Sequence, residues 1–454
     1  MMRLRLSELA AALGVTPAQP AGCRDVTVDA IVSDSRKVDF GALFAALPGS
    51  QVDGHDFASA AVKLGAVALL VQRRLELDVP QLVVDDVLRA LGRLATLLRE
   101  RLDPVVVGIT GSNGKTTVKA MVASILQRQG PVLVTRGNYN NELGVPLSLF
   151  ELEQKHRYAV LELGASKPGD IRYLAEMVRP DVAMVTNIGP AHLGGFGSIE
   201  GAARTKGEIY QQLPAGGCAI INADESWADL WRGLNRADRV ITFGTGTAAA
   251  DIRLEGDEER PRIVTPAGAF EFRPALPGRH NLLNALAATA VGLALGVGLD
   301  DIRAGLEAVQ PVPGRLNFIE SEHGWTVIDD TYNANPASLY SALQVLAGMQ
   351  GTAWLVLGDM KELGSESPKM HREVGDAAKA MGVARLFATG EMSIHTVDAF
   401  GDGAQHFASR EELAEAVRGS LRPGINCLVK GSRSMGMEAV VAAITKQQEK
   451  TETG

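Results

Sequence analysis

Short apolar runs alternate with segments of helical periodicity along most of the chain. PVVVGIT at residues 104–110, YAVLELG at residues 158–164 and DVAMVTNIG at residues 181–189 are examples, and a polar or amphipathic stretch follows each of them. Continuous apolar runs of this length are typical of strands that are buried on both faces of a parallel sheet. The pattern therefore predicts an α/β fold in which helices alternate with parallel strands.

Breaks in this pattern divide the chain into three predicted domains. Residues 1–85 mix short strands and helices, among them an amphipathic helix in RLSELAAALG and a strand in DVTVDAIVSDS. Residues 86–312 carry the repeated apolar strands, which predict a central domain built on a parallel sheet. The prolines and the glycine of QPVPGR then interrupt the alternation, which restarts beyond them. We therefore predict that residues 313–454 form a C-terminal Rossmann-like domain with a doubly wound sheet.

The composition is that of a globular protein and excludes several other classes. Hydrophobic residues make up 46 % of the 454 positions and charged residues 22 %, which excludes a disordered chain. The net charge is −8, and aromatic residues make up 5 %. We expect no nucleic-acid partner, because such proteins carry a basic face and aromatic side chains for stacking. The acidic balance does not exclude an anionic substrate, since a site can be locally basic.

Cysteine spacing and hydropathy indicate the compartment. Cys23, Cys218 and Cys427 form neither a CxxC pair nor a zinc-site spacing, which favours a reducing compartment. The most apolar stretch, Ala285 to Leu299, is 15 residues long and contains three glycines. It is shorter than the roughly 20 apolar residues of a membrane span, so we predict a buried helix. We expect a cytoplasmic, monomeric protein without membrane insertion.

A glycine-rich stretch between a predicted strand and a predicted helix is the strongest local signal for chemistry. Glycines let successive N–H groups surround phosphate oxygens, Lys115 can reach the outer phosphates, and the hydroxyl of Thr116 can bind Mg²⁺. The strict P-loop pattern is not met, because Ile109 occupies its first glycine position. The alternative is an ordinary glycine-rich turn. The candidate nucleotide-binding residues are Thr110, Gly111, Ser112, Asn113, Gly114, Lys115, Thr116 and Thr117.

Polar residues at the ends of apolar strands form a second candidate cluster. Glu162 lies inside the run YAVLELG, and Asn187 and His192 follow the strand DVAMVT. Open α/β sheets bind ligands at the carboxyl ends of their strands. A carboxylate in an apolar strand must be paired or bind a metal, because its burial is otherwise costly. Both interpretations of Glu162 stay open, and His192 alone is compatible with an ordinary loop histidine.

Several isolated polar residues could either bind a ligand or have an ordinary structural role. Asn281 stands at the start of the uncharged helix, where an amide can contact a purine or cap the helix. Arg315 and Asp330 follow the proline-rich break and could contact a nucleotide or be solvated loop charges. Lys206 lies on a predicted helix, where a lysine is ordinarily a surface residue.

Taken together, the motifs resemble the Mur ligase family of ATP-dependent peptide-bond synthetases over nearly the whole chain. The motifs that carry the resemblance are SDSR (33–36), TGSNGKTT (110–117), TRGNYNNELGVP (135–146), LELGAS (161–166), TNIGPAHL (186–193), GRHNLLNALAA (278–288) and DDTYNANPAS (329–338). The resemblance implies three α/β domains, which bind in turn the uridine end of the substrate, ATP, and the incoming dipeptide. The central one is then a P-loop ATPase domain.

The resemblance also implies roles for particular residues. Lys115 and the loop would hold the ATP phosphates, and Thr116 with Glu162 would bind one Mg²⁺. His192 and a carbamoylated Lys206 would bind a second Mg²⁺. These four residues, Lys115, Glu162, His192 and Lys206, are the implied catalytic set. The resemblance further implies that Asn281 contacts adenine, that Arg315 and Asp330 contact the nucleotide, and that Ser35, Asn140 and Asn141 contact the UDP-muramoyl substrate.

Within the family, three motifs indicate one activity. YNANP (332–336), LGDMKELG (357–364) and VKGSRSMGME (429–438) resemble members that join D-alanyl-D-alanine to UDP-N-acetylmuramoyl-tripeptide through an acyl phosphate. That reaction is the last cytoplasmic step in the synthesis of the peptidoglycan precursor. Two alternatives stay open, namely a folylpolyglutamate synthetase-like ligase and a P-loop NTPase that acts as a switch on a protein partner.

Overall fold

A computed structural model describes residues 3–19, 24–49, 52–190, 193–246 and 250–446. Helices alternate with parallel strands throughout the larger sheets, which confirms the predicted α/β class. No helix in these ranges is long and apolar enough to cross a membrane.

The N-terminal part of the chain contains a small parallel sheet of order β3-β4-β5-β6 and a short antiparallel pair, β1 with β2. The stretch DVTVDAIVSDS, predicted as one strand, forms two, because the chain changes partner after Val28. The elements are β1 (Leu4–Arg5), α1 (Leu6–Leu13), β2 (Thr27–Val28), β3 (Ala30–Val32), β4 (Ala42–Ala45), α2 (Ala58–Leu64), β5 (Ala68–Val71), β6 (Gln81–Val83) and α3 (Val87–Leu102).

The central sheet follows the order β15-β14-β13-β12-β11-β10-β7-β9-β8. Strands β7 to β13 pair in parallel, whereas β14 and β15 extend one edge as an antiparallel meander that the sequence did not predict. The elements are β7 (Val105–Thr110), α4 (Lys115–Gln127), β8 (Val132–Val134), α5 (Gly144–Leu149), β9 (Tyr158–Glu162), α6 (Asp170–Val178), β10 (Val182–Val185), α7 (Leu193–Phe196), α8 (Ile199–Gly207), β11 (Cys218–Asn222), α9 (Ala228–Leu234), β12 (Arg239–Gly244), β13 (Ile252–Glu255), β14 (Arg262–Thr265), β15 (Gly268–Glu271), α10 (Arg279–Ala294) and α11 (Leu299–Glu307).

The uncharged stretch from Ala285 is buried, as predicted, but the helix that contains it begins earlier, at Arg279, and ends at Ala294 rather than at Leu299. Leu286, Ala288 and Val291 are inaccessible to solvent, and the helix packs against α4 and the central sheet. Val118 and Met121 of α4 belong to the same apolar core. This packing fixes the beginnings of both helices at the carboxyl end of β7.

The C-terminal part contains a sheet of order β16-β17-β21-β18-β19-β20, which is parallel except for the edge strand β16. The late strand β21 lies between β17 and β18, and this crossover is the doubly wound arrangement that was predicted. The elements are β16 (Asn317–Glu320), β17 (Thr326–Asp330), α12 (Pro336–Ala347), β18 (Thr352–Gly358), α13 (Ser367–Ala380), β19 (Arg385–Thr389), α14 (Ile394–Phe400), β20 (Ala404–Phe407), α15 (Arg410–Ser420), β21 (Ile425–Lys430) and α16 (Glu438–Thr445).

Helix α3 joins the first two parts of the chain. It packs against α1 on one side and against α5 and α6 on the other. Its buried residues Leu91 and Leu94 share one apolar core with Leu9 and Leu174. The boundary that we place at residues 85 and 86 therefore stays a prediction, since the core runs across it, and so does the boundary at residues 312 and 313.

Candidate active site

A cavity of about 680 Å³ lies at the carboxyl ends of β7, β9 and β17 and takes residues from the central and C-terminal sheets. This is the edge at which parallel sheets bind their ligands. It brings together most of the residues that the sequence singled out. The predicted residues that line it are Gly111, Ser112, Asn113, Gly114, Lys115, Thr117, Asn140, Asn141, Glu162, Lys206, Asn281, Arg315 and Asp330.

The glycine-rich stretch turns sharply between β7 and α4. Gly114 has a φ of 79°, and a Cβ there would lie 2.6 Å from the Oδ1 atom of Asn284 in α10, so only glycine fits. The loop is held from the other side by Asn187, whose carbonyl oxygen accepts from the N–H of Ser112 at 2.9 Å. The Oδ1 atom of Asn187 accepts from the N–H of Asn113 at 3.0 Å. The loop is thus fixed before any ligand arrives.

The side chain of Lys115 folds over this loop. Its ammonium group donates to the carbonyl oxygens of Gly111 at 2.8 Å and Ser112 at 3.3 Å. Burial lowers the pKa of Lys115, and the nearby Arg315 lowers it further, while Glu162 has the opposite effect. The ammonium therefore lies at the centre of the loop, where the outer phosphates of a nucleotide would bind.

Glu162, the last residue of β9, is only 1 % exposed and has its two carboxylate oxygens in hydrogen bonds. Oε2 accepts from the hydroxyl of Thr116 at 2.9 Å and from the ammonium of Lys119 at 3.3 Å. Oε1 accepts from the amide of Asn140 at 2.8 Å. Burial raises the pKa of Glu162, but Lys115, Lys119 and Asn140 outweigh that effect and hold the pKa below its usual range. The carboxylate is therefore ionised and paired with a cation, one of the two states predicted for it.

Lys206 lies in α8 and is 3 % exposed, so the general expectation of a surface lysine is wrong here. Its ammonium nitrogen lies 5.3 Å from the ring centroid of Phe196 and faces the cavity. Burial lowers the pKa of Lys206 to about 7, with a smaller contribution from Lys115 in the same direction and an opposing one from Asp170. His192, predicted to act beside it, lies outside the described residues.

Asn281 lies in the first turn of α10. Its amide donates to the carbonyl oxygen of Pro277 at 2.8 Å, and its Oδ1 atom accepts from Asn284 at 3.1 Å. The N-cap position of α10 is Gly278, so the alternative that Asn281 caps the helix is wrong. Asn284, its hydrogen-bonded partner, instead lies against Gly114 of the glycine-rich loop.

The C-terminal domain contributes two charged residues, and neither is a solvated loop charge. Arg315 donates to the hydroxyl of Thr116 at 3.2 Å, and its guanidinium lies 4.0 Å from the ring centroid of Tyr332. Asp330 is 8 % exposed and accepts from the ammonium of Lys430 at 2.5 Å. That alternative is therefore wrong for both.

Of the three residues predicted to contact the muramoyl substrate, Asn140 and Asn141 line the cavity, whereas Ser35 does not. Asn140 contacts Glu162, and Asn141 accepts from the N–H of Gly144 at 2.8 Å, at the beginning of α5. Asn141 also lines a second cavity of about 1090 Å³, which extends towards β3 and Asp34. Ser35 begins a 3₁₀ turn next to Asp34, so it lies beside the second cavity rather than in the first.

With this geometry in place, comparison with known proteins identifies the family. Residues 27–98 match the Mur ligase family catalytic domain, residues 109–292 the Mur ligase middle domain, and residues 314–433 the Mur ligase glutamate ligase domain. The chain belongs to the Mur ligase family. It is therefore an ATP-dependent ligase that forms amide bonds.

The relatives of this Mur ligase span nearly its full length. The UDP-N-acetylmuramoyl-tripeptide–D-alanyl-D-alanine ligase of Escherichia coli is 44 % identical over 428 residues, which are 92 % of this chain and 94 % of the relative. A crystal structure of MurF from Acinetobacter baumannii is 35 % identical, with a TM-score of 0.91 over 98 % of this chain and all of that one. MurF from Thermotoga maritima in complex with ADP is 29 % identical, with a TM-score of 0.82 over 92 % and 97 % of the two chains.

Sequence reasoning missed four residues of this Mur ligase that contact the predicted ones. Lys119 pairs with Glu162, Lys430 pairs with Asp330, Tyr332 stacks on Arg315, and the amide of Asn335 donates to Asn113 at 2.8 Å. Lys119 carried a usable signal, since it interrupts the apolar face of α4 one turn after Lys115. The other three lie in the motifs YNANP and VKGSRSMGME, but their partners follow from the tertiary structure. Lys430 and Tyr332 meet theirs within the C-terminal part, and Asn335 meets Asn113 of the glycine-rich loop.

The buried pair of Lys430 and Asp330 generates a stability prediction. Lys430→Met should destabilise the C-terminal domain by about 3 kcal/mol, because removing one partner of a buried ion pair leaves the other charge uncompensated. Urea unfolding measures the change. Adding Asp330→Leu should recover most of the loss, since an apolar pair leaves no unpaired charge. Equal unfolding midpoints for Lys430→Met and the parent would show that the pair does not stabilise the domain.

Proposed function

We propose that this Mur ligase joins D-alanyl-D-alanine to UDP-N-acetylmuramoyl-tripeptide, with conversion of ATP to ADP and phosphate. The observation that carries the proposal is the cavity in which Lys115 and Glu162 face Arg315 and Asp330, in a chain 44 % identical to a ligase of that name. The product is the UDP-muramoyl-pentapeptide precursor of peptidoglycan, on which cell shape and division depend. We also propose that the enzyme acts in the cytoplasm as a monomer.

The reaction proceeds in two transfers. The terminal carboxylate of the tripeptide attacks the γ-phosphorus of ATP, which gives an acyl phosphate and releases ADP. The amine of D-alanyl-D-alanine then attacks the acyl carbon, and the tetrahedral intermediate collapses with loss of phosphate and a proton. No covalent bond to the enzyme is needed, so the side chains act by positioning and by stabilising charge.

Lys115 and the N–H groups of the loop would hold the phosphates of ATP, and Arg315 would approach them from the C-terminal domain. Negative charge is spread over the equatorial oxygens of the phosphoryl group during its transfer. Cations fixed in advance stabilise this charge without having to reorganise. The contact of Arg315 with Thr116 at 3.2 Å supports this role, because Thr116 directly follows Lys115. Asn281, at the start of α10, would contact the adenine, and Asp330 would contact the nucleotide from the C-terminal domain.

Thr116 and Glu162 fit a Mg²⁺ site. Their side-chain oxygens lie 2.9 Å apart, and Mg²⁺ in such enzymes takes one or two carboxylates together with phosphate oxygens and water. Within the described residues no cluster of three or more His, Cys, Asp or Glu side chains could hold a metal. Phosphate oxygens of the nucleotide and water would complete the proposed site. When bound, Mg²⁺ would neutralise part of the negative charge on the phosphate oxygens of ATP.

Lys206 would serve a second Mg²⁺ together with His192, as a carbamate. A carbamate forms from a neutral amine and CO₂, and burial favours the neutral amine of Lys206 over its ammonium form. The product carries hard anionic oxygens in place of a positive charge, which suits Mg²⁺. Ser35, Asn140 and Asn141 would contact the UDP-muramoyl part of the substrate.

Phosphate release tests the proposed function directly. We expect release from ATP only when UDP-N-acetylmuramoyl-tripeptide and D-alanyl-D-alanine are both present, because the acyl phosphate breaks down through attack by the amine. A panel of UDP-muramoyl peptides that end in diaminopimelate or lysine, each with and without the dipeptide, measures this dependence. Steady hydrolysis of ATP with neither substrate would support the NTPase switch instead, and turnover with a pterin substrate would support the folylpolyglutamate synthetase-like alternative.

Lys115→Ala should lower kcat by on the order of a thousandfold, because the transferring phosphoryl group loses a fixed cation. The fold should stay intact, as judged by circular dichroism. The exposed Lys63 of α2 provides the control, and its replacement by Ala should leave kcat unchanged. Activity of Lys115→Ala within tenfold of the parent would rule out the assigned role.

Lys206→Ala should be nearly inactive, with partial rescue by acetate, since acetate can place carboxylate oxygens in the vacated space. ¹³C NMR of enzyme equilibrated with ¹³CO₂ should show a carbamate signal that Lys206→Ala lacks. The exposed Lys167 lines the same cavity, and Lys167→Ala should retain the signal. Full activity of the parent in CO₂-free buffer would contradict the carbamate.

A further inference from the structure

A second lysine of α4 is buried beneath the site and has no role in the function proposed above. Lys119 lies one helical turn after Lys115 and is only 4 % exposed. Burying an ammonium group is costly unless it is paired and fully hydrogen-bonded. A methionine or leucine would fill this position of the helix without that cost. The presence of a charge here therefore needs an explanation.

The contacts of Lys119 join two parts of the site. Its ammonium donates to Oε2 of Glu162 at 3.3 Å, to the carbonyl oxygen of Thr135 at 2.9 Å and to that of Gly137 at 3.5 Å. An ammonium has three N–H groups, so these acceptors use all of them. Two of the three belong to the segment 135–141 that follows β8.

This segment forms neither helix nor strand, so separate contacts hold it, among them the N–H of Thr135 on the carbonyl oxygen of Val160 and the ion pair of Arg136 with Glu151. The hydroxyl of Thr135 accepts from the N–H of Glu162 at 3.0 Å, and the carbonyl oxygen of Asn140 accepts from the N–H of Gly164 at 2.7 Å. The amide of Asn140 reaches Oε1 of Glu162. At the start of the segment, Thr135 is therefore held by Lys119 and Glu162. Near its end, Asn140 is held by Glu162 and Gly164.

We propose that Lys119 is a positioning residue for the UDP-muramoyl substrate, because it holds the segment 135–141 against Glu162 with Asn140 and Asn141 at the cavity. This inference rests on the proposed function, in which these asparagines contact that substrate. Fixing a segment in its binding conformation strengthens binding, because less conformational freedom is lost when the ligand arrives. Lys119 also donates to Oε2 of Glu162, the carboxylate that we propose binds Mg²⁺. Nucleotide affinity is therefore compared without Mg²⁺, and under that condition we expect the effect to be confined to the muramoyl substrate.

The test separates binding of the two substrates in Lys119→Met. The variant is saturated with a non-hydrolysable ATP analogue and Mg²⁺, and UDP-N-acetylmuramoyl-tripeptide is titrated by calorimetry. We expect its Kd to rise about tenfold. Affinity for the nucleotide alone, measured in EDTA, should stay within about twofold of the parent. Amide hydrogen exchange in residues 135–141 should become faster in the ligand-free variant, which reports the loss of positioning without reference to activity.

Ser124→Ala is the matched control. Its hydroxyl donates to the carbonyl oxygen of Gly305 at 2.6 Å, so this variant loses a hydrogen bond of the same helix away from the site. It should bind both ligands as the parent does. A Kd for the tripeptide substrate that changes less than about threefold in Lys119→Met would overturn the positioning role.

Lys119→Gln covers the case in which the methionine variant does not fold, as judged by loss of nucleotide binding. Its amide keeps a donor for Thr135 but not the charge, and we expect the same selective loss of substrate affinity. Loss of nucleotide binding in both variants would show that Lys119 serves the fold, which also overturns the proposal. If the parent itself fails to bind UDP-N-acetylmuramoyl-tripeptide, the proposed function is wrong, and this outcome is distinct from the others.

Discussion

The buried carboxylate of Glu162 is the constraint on which the site depends. An ionised carboxylate that is 1 % exposed is tolerated only when hydrogen bonds and cations replace its water. Here the replacements come from separate segments: Thr116 and Lys119 from α4, and Asn140 from the segment after β8. Satisfying one carboxylate therefore brings the start of α4 and the segment 135–141 to the same point. In the proposed function these two parts of the chain bind the nucleotide phosphates and the muramoyl substrate, so burial of Glu162 would assemble both sites.

The C-terminal domain completes the site through the same helix and loop. Arg315 donates to the hydroxyl of Thr116, which itself donates to Glu162, and Asn335 donates to Asn113 of the loop. Asn335 also caps α12, so the helix and the loop share one amide side chain. A nucleotide bound at the loop is therefore within reach of a domain that is remote in sequence. A ligase needs this arrangement, because an acyl phosphate must meet the incoming amine before it meets water.

Sequence patterns predicted the parts of the fold whose signals are local. Buried parallel strands such as β7 and β9 are continuous apolar runs in the sequence, and the uncharged stretch within α10 is typical of a buried helix. The meander β14–β15 was missed, because its half-exposed strands have no such run. Candidate site residues, too, could be predicted from the sequence only where the signal is local. The spacing of the glycine-rich stretch was enough to single out Lys115 and Thr116. For Lys206 and Arg315 the family resemblance was needed, because the burial and the partners of these two side chains depend on segments that are distant in the sequence.

Burial, together with the excess of basic residues around the cavity, disfavours the ammonium form of Lys206. The chain as a whole carries a net charge of −8, yet basic residues outnumber acidic ones around the cavity. Besides Lys206, the bases are Lys115, Lys167, Arg315, Lys430 and Arg433, and the acids are Glu142, Glu162, Asp170 and Asp330. Before substrate binds, a further cation is disfavoured by burial and by its neighbours, and the pKa of Lys206 accordingly falls to about 7. The phosphates of the proposed nucleotide would add negative charge to this basic cavity. Burial and Lys115 thus make Lys206 easier to deprotonate than an ordinary lysine, as the proposed carbamate requires.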